Sequence, residues 1–155
     1  MNNPYNAPGT ELNQPMRDVE YLGFWARVAA SIIDNIWMFV VFFILGLIVV
    51  LASGMDESVL DSVVGTVFQL VLPAFIIVGL WVKYAATPGK MVFRAKILDA
   101  DTFEPVPTGR LILRYIGYFV CVLTLGIGFI WVGIDARKQG LHDKIARTVV
   151  VREKQ

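Results

Sequence analysis

Two charges near the start of a long apolar run carry the first chemical signal in this sequence. Arg27 stands at the mouth of the run and Asp34 lies seven residues further in. Seven residues make about two helical turns, so both side chains share one face, roughly 10 Å apart along the axis. Ser31 and Asn35 extend this face into a polar stripe. An ionised carboxylate at the centre of a membrane helix costs on the order of 2.5–3.5 kcal/mol. Asp34 therefore needs a partner or a task. Two chemistries fit. The preferred one is a structural ion pair, with Arg27, Lys83 or Arg114 as the cation. The other is a site for a monovalent cation or a proton, because a desolvated carboxylate can trade one for the other.

Further charges follow. Arg110 and Arg114 are spaced i, i+4 and share a face at the start of a third apolar stretch. They read as interfacial anchors; the sharper alternative has Arg114 reaching Asp34. Thr87-Pro88-Gly89-Lys90 looks like the end of a phosphate loop, but that pattern needs Gly at 84 and Ser or Thr at 91, where Tyr84 and Met91 stand. It reads as a tight turn with Lys90 near lipid headgroups. His142 beside Asp143 reads as a turn with side-chain hydrogen bonds before a last strand. The alternative puts both at the inner mouth of a polar pathway. A single His142 and a single Cys121 leave no His-based zinc site and no disulfide within the chain. No activated serine, catalytic histidine pair, metal cage or dinucleotide fingerprint is visible, so neither an enzyme nor a cofactor is expected.

These residues need elements to hold them. The 155 residues have a mean hydropathy of +0.62, with 56% hydrophobic and 17% charged residues, which marks a membrane protein. The net charge of +1 gives no footprint for nucleic acid. All 14 Lys and Arg residues lie outside positions 28–82. Residues 1–15, rich in Asn and Pro, predict a disordered tail rather than a cleaved signal peptide, and 16–152 a single membrane domain. Within it, 16–26 suit an interfacial approach with Tyr21, Phe24 and Trp25 at headgroup depth. Spans are expected over about 26–52 and 63–82, the second interrupted by Gln69 and Pro73. The 53–62 loop holds Asp56, Glu57 and Asp61 and no base, whereas 83–110 is basic. The positive-inside rule then puts the N-terminus and 83–110 in the cytoplasm of a multi-pass protein of the cell membrane.

The third apolar stretch, 111–134, is long enough for one crossing. A crossing would export the basic residues Arg137, Lys138, Lys144, Arg147, Arg152 and Lys154. It would also separate the β-branched run 148–152 from its best strand partner, 92–99. The preferred reading is a re-entrant or interfacial helical hairpin broken at Thr124–Gly128, with the C-terminus cytoplasmic; a third span is the alternative. The expected fold class is thus an α-helical membrane protein with two transmembrane helices, this third segment, and a small cytoplasmic β element.

In combination these residues resemble the RDD family of small integral membrane proteins, named for one arginine and two aspartates. The likeness rests on Gly23-Phe24-x-x-Arg27-x-x-Ala30-x-x-Ile33-Asp34, then Thr87–Lys90, Ile97-Leu98-Asp99 and Arg110/Arg114. It ends with Gln139–Ala146 and Thr148–Val150. It covers about 20–152. Arg147 stands where glycine is common. The resemblance implies that Asp143 is the second signature aspartate. It also implies a domain of poorly defined biochemistry, suspected of transport; some members are linked to cation/proton exchange and others accompany larger membrane assemblies.

Two functions follow. One is a transport component for a cation, proton or small solute, with Asp34 as the intramembrane site, Arg27 setting its charge, and Asp143 and His142 at the inner mouth. Two spans and a hairpin are too few to enclose a pathway, so it requires a homo-oligomer or a membrane partner. The other is a structural or adaptor module, in which Arg27, Asp34 and Asp143 pin the helices to the β element.

Overall fold

A computed structural model of the chain describes residues 19–153 apart from 55, 57 and 59–61. The expected disordered tail, Glu57, Asp61 and Lys154 lie outside the described residues. Among the described residues the elements follow in order: β1 (Val19–Tyr21), α1 (Phe24–Ala52), α2 (Val63–Tyr84), α3 (Pro88–Val92), β2 (Ala95–Asp99), α4 (Thr108–Leu123), α5 (Ile127–Ile134), α6 (Leu141–Ile145) and β3 (Thr148–Glu153).

The helix α1 and the stretch Gln69–Val92, which runs from within α2 to the end of α3, are long and apolar enough to cross a membrane, and the most apolar 18 residues of α1 have a mean hydropathy of 2.7. At 29 residues α1 is roughly 44 Å long, more than the ~30 Å hydrocarbon core requires. Beyond its first turns it faces outward, with Phe39, Phe43, Ile48 and Leu51 exposed. Such surface is out of place in water and suited to lipid or another apolar partner. Ser62 caps α2 by accepting a hydrogen bond from the Gly65 N–H, and Pro73 lies within the helix.

The sheet order is β1-β3-β2, with both pairings antiparallel. The register of β2 with β3 sets Ile97 opposite Val150 and Leu98 opposite Val149. Alternation then sorts the side chains onto two faces. Ala95, Ile97 and Val150 pack with Leu22, Trp81 and Leu111 on the helix side. Leu98, Val149 and Val151 pack with Val19 and Tyr21 on the other. The central strand is therefore apolar on both faces, which explains its unbroken Val149-Val150-Val151 run.

Sequence reasoning paired 92–99 with 148–152. The strands are 95–99 and 148–153, because the TPGK segment continues as the short helix α3 through Val92. Of the expected interfacial segment 16–26, residues 16–18 lie outside the described residues, and the rest does more than approach a surface. Residues 19–21 form a third strand on the edge of β3, and Leu22 is buried. Only Trp25, 79% exposed, keeps the surface position foreseen.

The third apolar stretch is broken where glycine was expected to break it. Leu125 has φ 53° and Gly126 φ 82°, and α4 and α5 meet at an angle of 103°. Glycine adopts that backbone without a Cβ penalty, so Gly126 is the pivot. Both ends of the bent pair join the sheet region, through β2 before α4 and through β3 after α6. On α4, Leu111, Arg114, Gly117 and Cys121 face inward at helical spacing, while Ile112, Ile116, Phe119 and Leu123 face out.

Candidate functional site

Asp143 is the centre of the charged cluster. It sits on the first turn of α6, where its carboxylate accepts the Gly140 N–H at 2.9 Å and so caps the helix. Two guanidinium groups close on it from helices that are remote in sequence. Arg27 on α1 donates from Nη1 to Oδ2 at 2.5 Å, and Arg114 on α4 reaches Oδ1 from Nη1 at 2.5 Å. Asp143 and Arg114 are 0% exposed. The other donors of Arg27 serve backbone carbonyls: Nε bonds Leu22 at 3.0 Å and Nη2 bonds Lys138 at 2.6 Å. Arg114 Nη1 also donates to the Thr148 hydroxyl at 2.5 Å, and Gln139 holds the Thr148 carbonyl at 2.8 Å. One carboxylate thus ties α1, α4 and α6 to the start of β3.

Burial would push the Asp143 carboxyl up, but the guanidinium groups of Arg114 and then Arg27 outweigh it and hold the group well below the usual carboxylate range. The neighbouring His142 moves the other way. It lies between the rings of Tyr118 and Phe129, with Nε2 3.6 Å from Asp143 and Nδ1 3.4 Å from Cys121 Sγ. Burial lowers its pKa from 6.5 to about 3, and Arg114, Arg27 and Lys90 add to the effect against Asp143. Folded His142 is neutral where an unfolded histidine charges. Its contribution to stability is complete above pH 6.5 and declines as pH falls toward 3, because the unfolded chain takes up the proton first. The melting temperature in detergent is expected to drop between pH 7 and pH 5, and His142→Gln to flatten that slope. Equal melting of the wild type at both values would count against a buried neutral His142.

Asp34 makes no ion pair among the described residues. Its Oδ2 accepts the Thr87 hydroxyl at 2.5 Å, and its Oδ1 accepts the Gly89 N–H at 2.7 Å and the Trp37 indole N–H at 3.0 Å. The expected pairing with Arg27, Lys83 or Arg114 is therefore corrected. The seven-residue spacing does set Arg27 and Asp34 on one face, but Asp143 takes both arginines and a neutral clamp takes Asp34. Lys83 is exposed and lies 5.1 Å above the Tyr84 ring. Lys90, expected near the headgroups, is buried against the protein, with Nζ 3.3 Å from Thr87 Oγ1. Ser31 and Asn35 do flank Asp34, and Asn35 donates to the Ser31 carbonyl at 2.7 Å.

Arg110 is an internal staple rather than a lipid anchor. It pairs with Asp99 and donates to the carbonyls of Ala146 and Arg147. Asp99 also accepts the N–H groups of Thr102 and Asp101; these bonds, with Arg110, lower its pKa to about 2. The Arg147 backbone explains why glycine suits that place: its φ is 49°, in the left-handed region. Arg147→Gly should raise stability by about 1 kcal/mol, the penalty a Cβ brings there, and thermal unfolding in detergent checks it.

Sequence reasoning missed Thr87, Gly89 and Lys90 as the surroundings of Asp34. A signal was present: Thr-Pro-Gly is a helix start, with threonine at the cap and proline at the first position, and helix starts offer free N–H groups to anions. The carbonyls of Leu22 and Lys138 left no such trace. His142 and Asp143 were read as a turn with side-chain hydrogen bonds, and the Gly140 N–H bond to Asp143 is one; the alternative put them at a pathway mouth, and both are buried. Two cavities border the cluster. One of about 360 Å³ is lined by Arg27, Lys90 and Arg114, and one of about 200 Å³ by Asp34, Trp37 and Lys90. Among the described residues no group of three or more His, Cys, Asp or Glu is placed to hold a metal.

Comparison with known proteins gives a consistent picture. The model of the RDD family matches residues 21–147. An uncharacterized membrane protein of Bacillus subtilis strain 168, YteJ, is 33% identical over 142 residues, 86% of this chain and 82% of that one. An uncharacterized protein of Rickettsia prowazekii strain Madrid E, RP437, is 38% identical over 72 residues, 46% of this chain and 39% of that one. A proline-rich antigen homolog of Mycobacterium tuberculosis strain H37Rv is 33% identical over 63 residues, 41% of this chain and 26% of that one. The match thus spans well under two thirds of the length of the last two relatives. No solved structure matches the chain.

Proposed function

The chain belongs to the RDD family, and on that premise we propose that it serves as a non-catalytic membrane module whose signature charges hold its helices to its sheet. One observation carries this reading: all three signature residues are engaged within the chain. Arg27 satisfies Asp143 and two carbonyls, Asp143 satisfies two arginines, and Asp34 satisfies Thr87, Gly89 and Trp37. Such a lock makes the apolar helices and the sheet one rigid body, a platform for a second copy or a membrane partner. In this reading α1 and α2 cross the cell membrane, α4–α5 enters and returns on one face, and the sheet is cytoplasmic. Its support is that residues 19–21, 95–99 and 148–153 share one sheet, which a bilayer cannot divide, and that the basic residues gather around it. In intact cells an impermeant thiol reagent should then label Ser58→Cys and spare Lys96→Cys.

Reconstituted in liposomes, the wild type is expected to give no flux driven by a sodium, potassium or proton gradient beyond protein-free vesicles. Gradient-driven flux that Asp34→Asn abolishes would overturn the module reading. It would favour the second one, a cation or proton transport component. That second reading draws on the half-buried position of Asp34 and on its cavity of about 200 Å³, shared with Ser31 and Asn35.

A further inference from the structure

The two arginines around Asp143 differ in one respect. Each of the three donor nitrogens of Arg27 has an acceptor. Arg114 is 0% exposed, yet its Nε and Nη2 make no hydrogen bond among the described residues. The guanidinium stacks 5.4 Å from the Trp81 ring, and the Tyr118 phenol is its neighbouring oxygen. Buried donors without acceptors are costly, and for a charged group the cost is greater. A ligand that supplies acceptors removes it.

Arg114 lines the cavity of about 360 Å³. Arg27 and Lys90 line the same cavity, and no Asp or Glu does. The two nearby carboxylates point elsewhere, Asp143 into the arginine pair and Asp34 into the Thr87–Gly89 clamp. Ser31 adds a hydroxyl, while Ile32 and Phe129 give the cavity an apolar wall. Three cations, unmatched guanidinium N–H groups and a hydroxyl suit a multidentate oxyanion.

We propose that this cavity binds a phosphate oxyanion, with Arg114 and Lys90 as its principal donors and Ser31 at its rim. The oxyanion is either the phosphodiester of an anionic phospholipid, its acyl part against the apolar wall, or a soluble phosphate. The site goes beyond the module reading and does not depend on it, since a locked platform and a transport component could equally carry it.

The test uses the full chain in neutral maltoside micelles, read by tryptophan fluorescence, to which Trp81 beside Arg114 should contribute. Phosphatidylglycerol, phosphatidylcholine and inorganic phosphate are titrated separately. A saturable change is expected with phosphatidylglycerol or with inorganic phosphate, at least fivefold weaker with phosphatidylcholine. Saturation by the lipid alone assigns the phospholipid source, and saturation by inorganic phosphate assigns the soluble one. Lys90→Met removes one cation, and Ser31→Phe fills the rim from an exposed position of α1 without touching any bond of the lock. At least one of them, folded as judged by melting, should weaken binding fivefold or more. No saturable binding of either phosphate, or binding that neither variant weakens, overturns the proposal.

Discussion

Asp143→Asn is expected to be the most damaging single substitution in the chain. It removes the charge that Arg27 and Arg114 share in a fully buried place. Breaking a buried ion pair by deleting one partner costs about 3–5 kcal/mol, because the other charge stays behind uncompensated. Here two charges stay behind. The asparagine amide would also turn a donor toward one guanidinium. Global unfolding of the detergent-solubilised protein by denaturant measures the loss; a loss below about 1 kcal/mol, the scale of an exposed pair, would contradict the burial. The combined variant Arg27→Met/Arg114→Met/Asp143→Leu should recover a good part of the stability. A packed apolar group of similar volume often replaces a buried ionic cluster at little cost. The recovery will be incomplete, because the carbonyls of Leu22 and Lys138 lose their donors.

Gly89→Ala is the second large effect. A Cβ at position 89 would lie 2.0 Å from the Ala30 carbonyl oxygen and 2.9 Å from Asp34 Cγ. The first is backbone of α1 and cannot swing aside, so α3 must leave the helix. Overpacking costs about 1–3 kcal/mol in general, and this case belongs at the top of that range, since the Gly89 N–H to Asp34 is lost as well. Asp34→Asn alone should cost about 1–3 kcal/mol, as one oxygen becomes a donor facing other donors. The two changes disrupt the same clamp, so together they should cost clearly less than their sum. Full additivity in denaturant unfolding would show that Gly89 and Asp34 act separately.

Much of this architecture could be read from residue order. Apolar length marks α1 and α2, and Gly126 marks the bend of α4–α5. The β-branched run 148–152 needed a partner, and 95–99 is one. The charges were harder to read. Arg27, Asp34, Arg110, Arg114 and Asp143 could all be named, but their pairing depends on which helix faces meet. Helical spacing gives the face of a residue and says nothing of what lies opposite. Asp34 and Asp143 therefore exchanged roles: the carboxylate on α1 takes neutral donors, and the one on α6 takes both arginines. The strand at 19–21 was hidden for a related reason. Three residues carry too little alternation to register, and their strand character comes from the edge of β3 that they cover.

Arg27 and Asp143, 116 residues apart in sequence, form one buried contact that joins α1 to α6 beside the sheet. A double-mutant cycle with Arg27→Met and Asp143→Asn, read by denaturant unfolding in detergent, tests it most directly. Contacting charges in one network give coupling of about 0.5–3 kcal/mol, and the value expected here is about 2 kcal/mol or more. Effects that add to within about 0.5 kcal/mol, as for sites that do not touch, would contradict the account.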